Sequence, residues 1–288
     1  SPMIPFYIYY SMFGLQRVGD LAWAAGDMRA RGFLLGGTAG RTTLNGEGLQ
    51  HEDGHSHLLA ATIPNCVSYD PTFAYEVAVI IQDGLRRMFK DQDDVYYYIT
   101  LMNENYPHPA MPKGAEEGIR RGMYLCREGA GKKNAPRVQL LGCGTILREV
   151  IAAAELLQND FGIAADVWSC PSFNELRRDG LAAERWNLLH PSQTPRKSYV
   201  EECLDGRQGT VICIDGLHAR LRRADPAVRA AALCVPRHRR FRSQRLPGGV
   251  AEVFRGQPPL RGGRGAQVAG RRRGGAETKG CQGDRRVW

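Results

Sequence analysis

Residues 48–57 hold three histidines, two acidic residues and two glycines. An imidazole changes charge near neutral pH, so His51, His55 and His57 can donate, accept or carry a proton. Glu52 and Asp53 are able to orient such rings, and Gly48 and Gly54 let the main chain approach a ligand closely. His51, His55, His57 and Asp53 are all metal-ligand types, which would suit a metal-dependent hydrolase. The spacing weakens that reading, because His-x-x-x-His shares one face only on a helix and Gly54 predicts a loop. No metal ligand is therefore expected here. A plain solvated turn is the bland alternative, although titratable groups gathered between glycine turns mark sites more often than bare loops do.

The third reading is recognition of a negatively charged or carbonyl-bearing ligand, in a cleft formed with segment 6–13. Tyr10 and Phe13 lie at and just past the end of an apolar, β-rich run that starts at Met3. Open α/β sheets bind ligands beyond the carboxyl ends of their strands. A hydroxyl beside a flat apolar ring suits an aromatic heterocycle with a polar edge. Tyr7 and Tyr9, within the same run, are expected to pack in the core.

The elements around these residues alternate. Apolar residues at Val18, Leu21, Ala22, Ala25 and Met28 predict a helix over 16–31, and Phe33 to Leu35 reads as a short buried strand. A strand follows over 63–69, with Asp70 as N-cap and Pro71 at the first position of a helix that buries Phe73, Val77, Ile80, Ile81, Gly84 and Met88. Residues 95–101 form the next strand. The Pro-, Gly- and Lys-rich stretch 105–136 reads as a linker or short edge excursion. A second unit has strands over 138–141 and 165–169 and helices over 146–159, with Thr145 as N-cap, and 174–189. Gly142-x-Gly144 lacks the rest of a dinucleotide fingerprint and reads as a tight strand-to-helix turn. The pattern predicts α/β architecture with mostly parallel sheets covered on both faces.

Composition divides the chain. Residues 207–288 carry 18 Arg and one Lys against five acidic residues, whereas the remainder has 20 basic and 25 acidic residues. The first part thus reads as an ordinary, mildly acidic globular sequence. The eight cysteines include no Cys-x-x-Cys pair, which argues against a zinc ribbon and fits reduced, mostly buried thiols. Neither a long apolar run nor a signal-peptide pattern occurs, so no membrane association and a cytoplasmic location are expected.

The arginine-rich tail admits two explanations. As written, it suits a non-catalytic protein that binds nucleic acid through phosphate contacts. Alternatively, residues 216–226 (GLHARLRRADP) can be encoded so that a reading one base later gives DYMRAYAEQIR, a balanced amphipathic pattern. Residues 237–247 (RHRRFRSQRLP) yield GTDGFGRSDSR in the same shifted register. A one-base insertion near Cys213 accounts for both, and this reading is preferred. It makes 213–288 an out-of-frame tail, too poor in apolar periodicity to fold, with no nucleic-acid partner.

The strings IPFYIYYSMFGLQRVGDLAWAAGD, GGTAGRTTLNGEGLQHEDGHSH, IPNCVSYDPTFAYEVAVI, VYYYITLMNENY and ERWNLLHP resemble the homodimeric bacterial type of pyruvate dehydrogenase, the decarboxylating, acetyl-transferring component. The resemblance runs to about Ile212, and the shifted strings resemble that family's downstream sequence. It implies a transketolase-like fold: part of the pyrimidine-binding domain over 1–111, part of the C-terminal α/β domain over 112–212, and a disordered tail. It also implies an oxidoreductase acting on an oxo group, which decarboxylates pyruvate with thiamine diphosphate and magnesium and passes the acetyl unit to a lipoyl group. By motif position, Tyr10 and His51 would contact the substrate–cofactor adduct, and Phe13 would pack on the aminopyrimidine ring. Segment 52–57 resembles the EDGPTH loop of transketolases, which adds Asp53 and His57 behind the site. The implied partners are a second copy of the chain and the lipoyl acetyltransferase component. The family's activating glutamate and its magnesium ligands are expected upstream of Ser1, so this chain by itself is expected to be inactive.

Overall fold

The computed structural model describes residues 3–40, 51, 53–131 and 135–214. The tail from 215, with most of the proposed out-of-frame segment, lies outside the described residues, as do 41–50 and Glu52. Four parallel strands make the first sheet, in the order β1 (Phe6–Tyr10), β2 (Phe33–Gly37), β4 (Tyr96–Thr100), β3 (Cys66–Tyr69). Parallel strands need crossovers, and these are α1 (Leu15–Asp27), α2 (Ser56–Ala60) and α3 (Ala74–Leu85). All five residues of β4 are buried, as expected of an inner parallel strand covered on both faces. The sheet's other end is different. β1 is an edge strand, and its Tyr7 is 63% exposed, so the expected core packing holds only for Tyr9, which stacks on Tyr98 in the core.

The second sheet runs β5 (Tyr124–Arg127), β7 (Ala164–Ser169), β6 (Arg137–Gly142), β8 (Thr210–Cys213), with β5 antiparallel to β7 and the rest parallel. Its helices are α5 (Ile146–Phe161), α6 (Phe173–Leu189) and α7 (Tyr199–Leu204). A short helix, α4 (Glu116–Arg121), closes at Gly122 with φ +97 and delivers the chain into β5. The stretch read as a linker therefore contains a helix and an edge strand. Its Pro and Gly residues punctuate these elements.

One N-cap differs from the sequence reading. Asp70 does not cap α3: the helix begins at Ala74, with Phe73 at the N-cap. Glu76, three residues in, folds back so that its carboxylate accepts from the backbone N–H groups of Thr72 at 2.5 Å and Phe73 at 2.9 Å. This satisfies two donors that a helix start leaves bare. Asp70 is spent elsewhere. Its backbone N–H donates to Pro171 and its carbonyl accepts from Gly144, so the carboxyl end of β3 is hydrogen-bonded to the loops after β6 and β7. Thr72 adds a hydroxyl bond to the Gly144 carbonyl, and Ser172 one to Ser68.

Glu76 also links the two sheets. Its second oxygen accepts from Tyr124 Oη on β5 and from Ser169 Oγ on β7, each at 2.6 Å. The side chain has no exposed surface, and burial holds its carboxyl above the ordinary 4.5 although four donors pull the other way. The folded chain then keeps a proton that the unfolded chain loses above its own carboxylate pKa. Stability should fall as pH rises from the ordinary value to the raised one, and stay level beyond it. Urea unfolding of the full chain at about pH 4 to 7 should show this fall, and Glu76→Gln should flatten it. Parallel curves for the two proteins would refute the assignment. Tyr124→Phe removes one donor to a buried carboxylate and should cost about 1.5–3 kcal/mol in the same assay.

Candidate functional site

Tyr10 ends β1, and a 3-10 turn over Ser11–Phe13 carries Phe13 back over the carboxyl end of the sheet. Gly14 follows because the turn passes the ring of Tyr9: a Cβ there would lie 1.8 Å from Tyr9 Cε2. Gly36, at the end of β2, is forced in the same way, since its Cβ would meet Tyr98 Oη at 2.7 Å and Ser11 Cβ at 3.0 Å. These two glycines let the backbone close onto the tyrosines beneath the site.

The structure brings Tyr10, Phe13 and His51 together. Their ring centroids are 5.9 Å (Tyr10–Phe13), 5.7 Å (Tyr10–His51) and 5.1 Å (Phe13–His51) apart, with interplanar angles of 68–73°. Edge-to-face packing of this kind is the preferred aromatic geometry. Tyr10 remains 51% exposed. Arg17 stands over the Phe13 ring at 4.8 Å, so a flat group can meet Phe13 only on the other face. Beneath the trio, Tyr9 Oη and Ser11 Oγ are buried without a hydrogen-bond partner among the described residues. Burial also raises the Tyr9 and Tyr98 hydroxyls above the ordinary tyrosine range, so both stay protonated and able to donate.

The three histidines do not converge. His51 belongs to the aromatic trio, His55 is exposed at the N-cap of α2, and His57 is buried within that helix. Among the described residues, no three His, Cys, Asp or Glu side chains are placed to hold a metal ion. The stretch read as loop is therefore partly helical, with Gly54 just ahead of the helix. Asp53 is the reason. One of its oxygens accepts from His55 N–H at 3.1 Å and Ser56 N–H at 3.0 Å, and the other accepts from Ser56 Oγ. Gln16 on α1 donates to the first oxygen at 3.1 Å, tying α2 to the turn that carries Phe13. Nothing in the sequence singled out Gln16 beyond an amide at the first position of the helix expected over 16–31.

His57 is 3% exposed. Its Nε2 lies 3.0 Å from Thr100 Oγ1, and its ring centroid is 5.3 Å from that of Tyr98. Burial pushes the Cys66 thiol up to about 12 and Cys126 up to about 11, which keeps both as unreactive thiols near neutral pH. His190, in contrast, stacks on Trp186 at the end of α6.

Comparison with known proteins follows the same division. Residues 1–109 match the pyruvate dehydrogenase E1 component middle domain, and residues 122–245 match the transketolase-like TK C-terminal domain. The pyruvate dehydrogenase E1 component of Pseudomonas aeruginosa is 75% identical over 212 residues, which are 74% of this chain and 24% of that protein. The Escherichia coli K12 protein of the same name is 65% identical over 205 residues, 71% of this chain and 23% of its own length. The chain thus spans about a quarter of the relatives it matches. Among solved structures, the Campylobacter jejuni transketolase superposes with a TM-score of 0.57 at 18% identity, over 88% of this chain and 33% of that one. A split-gene transketolase, an inactive beta4 tetramer, gives 0.54 at 18% identity over 81% of this chain and 67% of its own. The fold is transketolase-like.

Asp53, two residues ahead of the His55 N-cap, should act like a capping side chain for the start of α2. Asp53→Ala should lower unfolding free energy by about 1–2 kcal/mol in urea titrations, the upper range for an N-cap. Gln16→Ala should cost less, because it leaves the two backbone bonds in place. A larger loss for Gln16→Ala would contradict the cap.

Proposed function

The chain belongs to the pyruvate dehydrogenase E1 component family, and from that premise we propose that it forms the pyruvate-handling face of a longer enzyme that decarboxylates pyruvate oxidatively and passes the acetyl unit to a lipoyl group. On this reading residues 1–111 are part of the pyrimidine-binding domain and 112–212 part of the C-terminal domain. The single observation that supports it best is the edge-to-face trio of Tyr10, Phe13 and His51 at the carboxyl end of β1.

The residues fit thiamine diphosphate. A half-exposed tyrosine and a ring with one open face suit a flat aminopyrimidine, and the buried hydroxyls below call for polar neighbours that a bound heterocycle or its waters would supply. When bound, the cofactor supplies the nucleophilic carbon and the electron sink for loss of carbon dioxide. Phe13 would pack against its ring. Tyr10 offers a hydroxyl at the substrate end, and His51 moves a proton to or from an oxygen of the bound keto acid. Asp53 holds α2 in place, and His57 stands behind it. For magnesium, no group of three acidic, His or Cys side chains among the described residues is placed to hold the ion.

The partners in this reading are a second copy of the chain and the lipoyl acetyltransferase component, in the cytoplasm. No helix among the described residues is long and apolar enough to cross a membrane.

The test is a graft of residues 1–212 into the Pseudomonas aeruginosa relative in place of its matching segment. There His51→Ala should lower turnover by about 10²–10⁴-fold with cofactor affinity largely kept, as expected for loss of an acid–base partner. Tyr10→Phe should cost less, and Phe13→Ala should chiefly weaken cofactor binding. His190→Ala is the control and should leave turnover unchanged. Turnover of His51→Ala within about threefold of the parent graft would sink the proposal, since acid–base loss is far larger.

A further inference from the structure

Thr100 is the last residue of β4, and Asp70 follows the last residue of β3, the neighbouring parallel strand. Their side chains therefore meet at the carboxyl end of the sheet, directly under His57. Thr100 Oγ1 lies 2.6 Å from Asp70 Oδ1, 3.3 Å from the Tyr69 carbonyl and 3.0 Å from His57 Nε2. One hydroxyl has one proton to give. A carboxylate is the strongest acceptor of the three, and its contact is the shortest, so the proton goes to Asp70. If Thr100 donated to His57 instead, its oxygen would face the Asp70 carboxylate at 2.6 Å with no proton between them. The hydroxyl lone pairs are left to accept, and His57 Nε2 must carry the hydrogen that fills one of them.

We propose that Asp70, acting through Thr100, holds His57 as the neutral imidazole protonated on Nε2, which makes Nδ1 the accepting nitrogen. Asp70 and Thr100 are positioning residues in this scheme. The second domain braces both ends of the chain. Asp70 is clamped through its backbone by Pro171 and Gly144, while Asn174 Nδ2 donates to the His57 carbonyl at 2.9 Å. The orientation of that amide is itself fixed, because its oxygen cannot face a carbonyl acceptor. The strand ends of the C-terminal domain thus determine which nitrogen of a histidine in the first domain bears the proton. The inference deepens the proposed function and rests on it, since it gives the histidine that stands behind the site one fixed proton-bearing nitrogen.

The tautomer is measurable without turnover, which separates this test from that of the function. The full 288-residue chain, labelled with ¹⁵N-histidine, is examined by long-range ¹H–¹⁵N correlation at neutral pH, with His57 assigned by its loss in His57→Gln. The expected pattern is a protonated Nε2 and an unprotonated Nδ1. Thr100→Val, nearly isosteric, should abolish the preference, giving averaged or reversed nitrogen shifts, and Thr100→Ser should restore it. A protonated Nδ1 in the parent chain, or an unchanged pattern in Thr100→Val, would overturn the proposal. Should the valine variant fail to fold, the parent spectrum and Thr100→Ser still decide it.

Discussion

The carboxylate of Glu76, with no exposed surface, accepts hydrogen bonds from both halves of the described chain. Burying that charge opposes folding, and only a full set of donors makes it tolerable. Two of those donors are backbone groups at the start of α3, and two are hydroxyls from the second sheet. The α3 N-terminus is therefore complete only when the second sheet is in place. The preceding residues, 70–73, follow the same constraint. They run across the ends of β6 and β7 and exchange backbone and hydroxyl bonds with them. The crevice at those strand ends is where an isolated α/β domain would take a ligand. Here residues 70–72 run across it and bond to the loops after β6 and β7.

That edge is assembled by short local devices. Gly14 and Gly36 let main chain approach the Tyr9 and Tyr98 rings. The resulting turn swings Phe13 toward His51, and Gln16, in the first turn of the α1 helix that follows, reaches Asp53. Asp53 in turn starts α2, which carries His57 down onto Thr100 and Asp70. Each of these links is only one or two hydrogen bonds.

Much of this was legible in the sequence, and the failures are instructive. The regular strands and the longer helices follow their apolar periodicity, because a buried parallel strand and an amphipathic helix leave clear patterns. Tyr10, Phe13 and His51 were placed together on chemistry, motif resemblance and the rule of strand ends. Asp70-Pro71 looked like a helix start because the dipeptide carries the usual cap signal. The actual start is three residues later, where Glu76 satisfies the same N–H groups in a buried setting that no local pattern announces. The 105–136 stretch hid α4 and β5 because its breakers flank very short elements. Tyr7 was misplaced since alternation cannot distinguish an edge strand from an inner one. Thr100 and Asp70 lie 30 residues apart in sequence, and their meeting is a product of the β3–β4 register.

The helix boundary at His55 has a chemical consequence. Three histidines within seven residues would behave alike on an extended loop. Because α2 begins at Ser56, His51 stays among aromatic rings, His55 faces solvent, and His57 turns into a hydroxyl and a carboxylate. A metal site would need the three rings to converge, and the helix start drives them apart. Proton chemistry needs the opposite, since imidazoles in unlike surroundings can take unlike roles. The residue that enforces the separation is Asp53, whose carboxylate holds the first N–H groups of α2, so a single cap decides between the two chemistries that the histidine-rich stretch would otherwise allow.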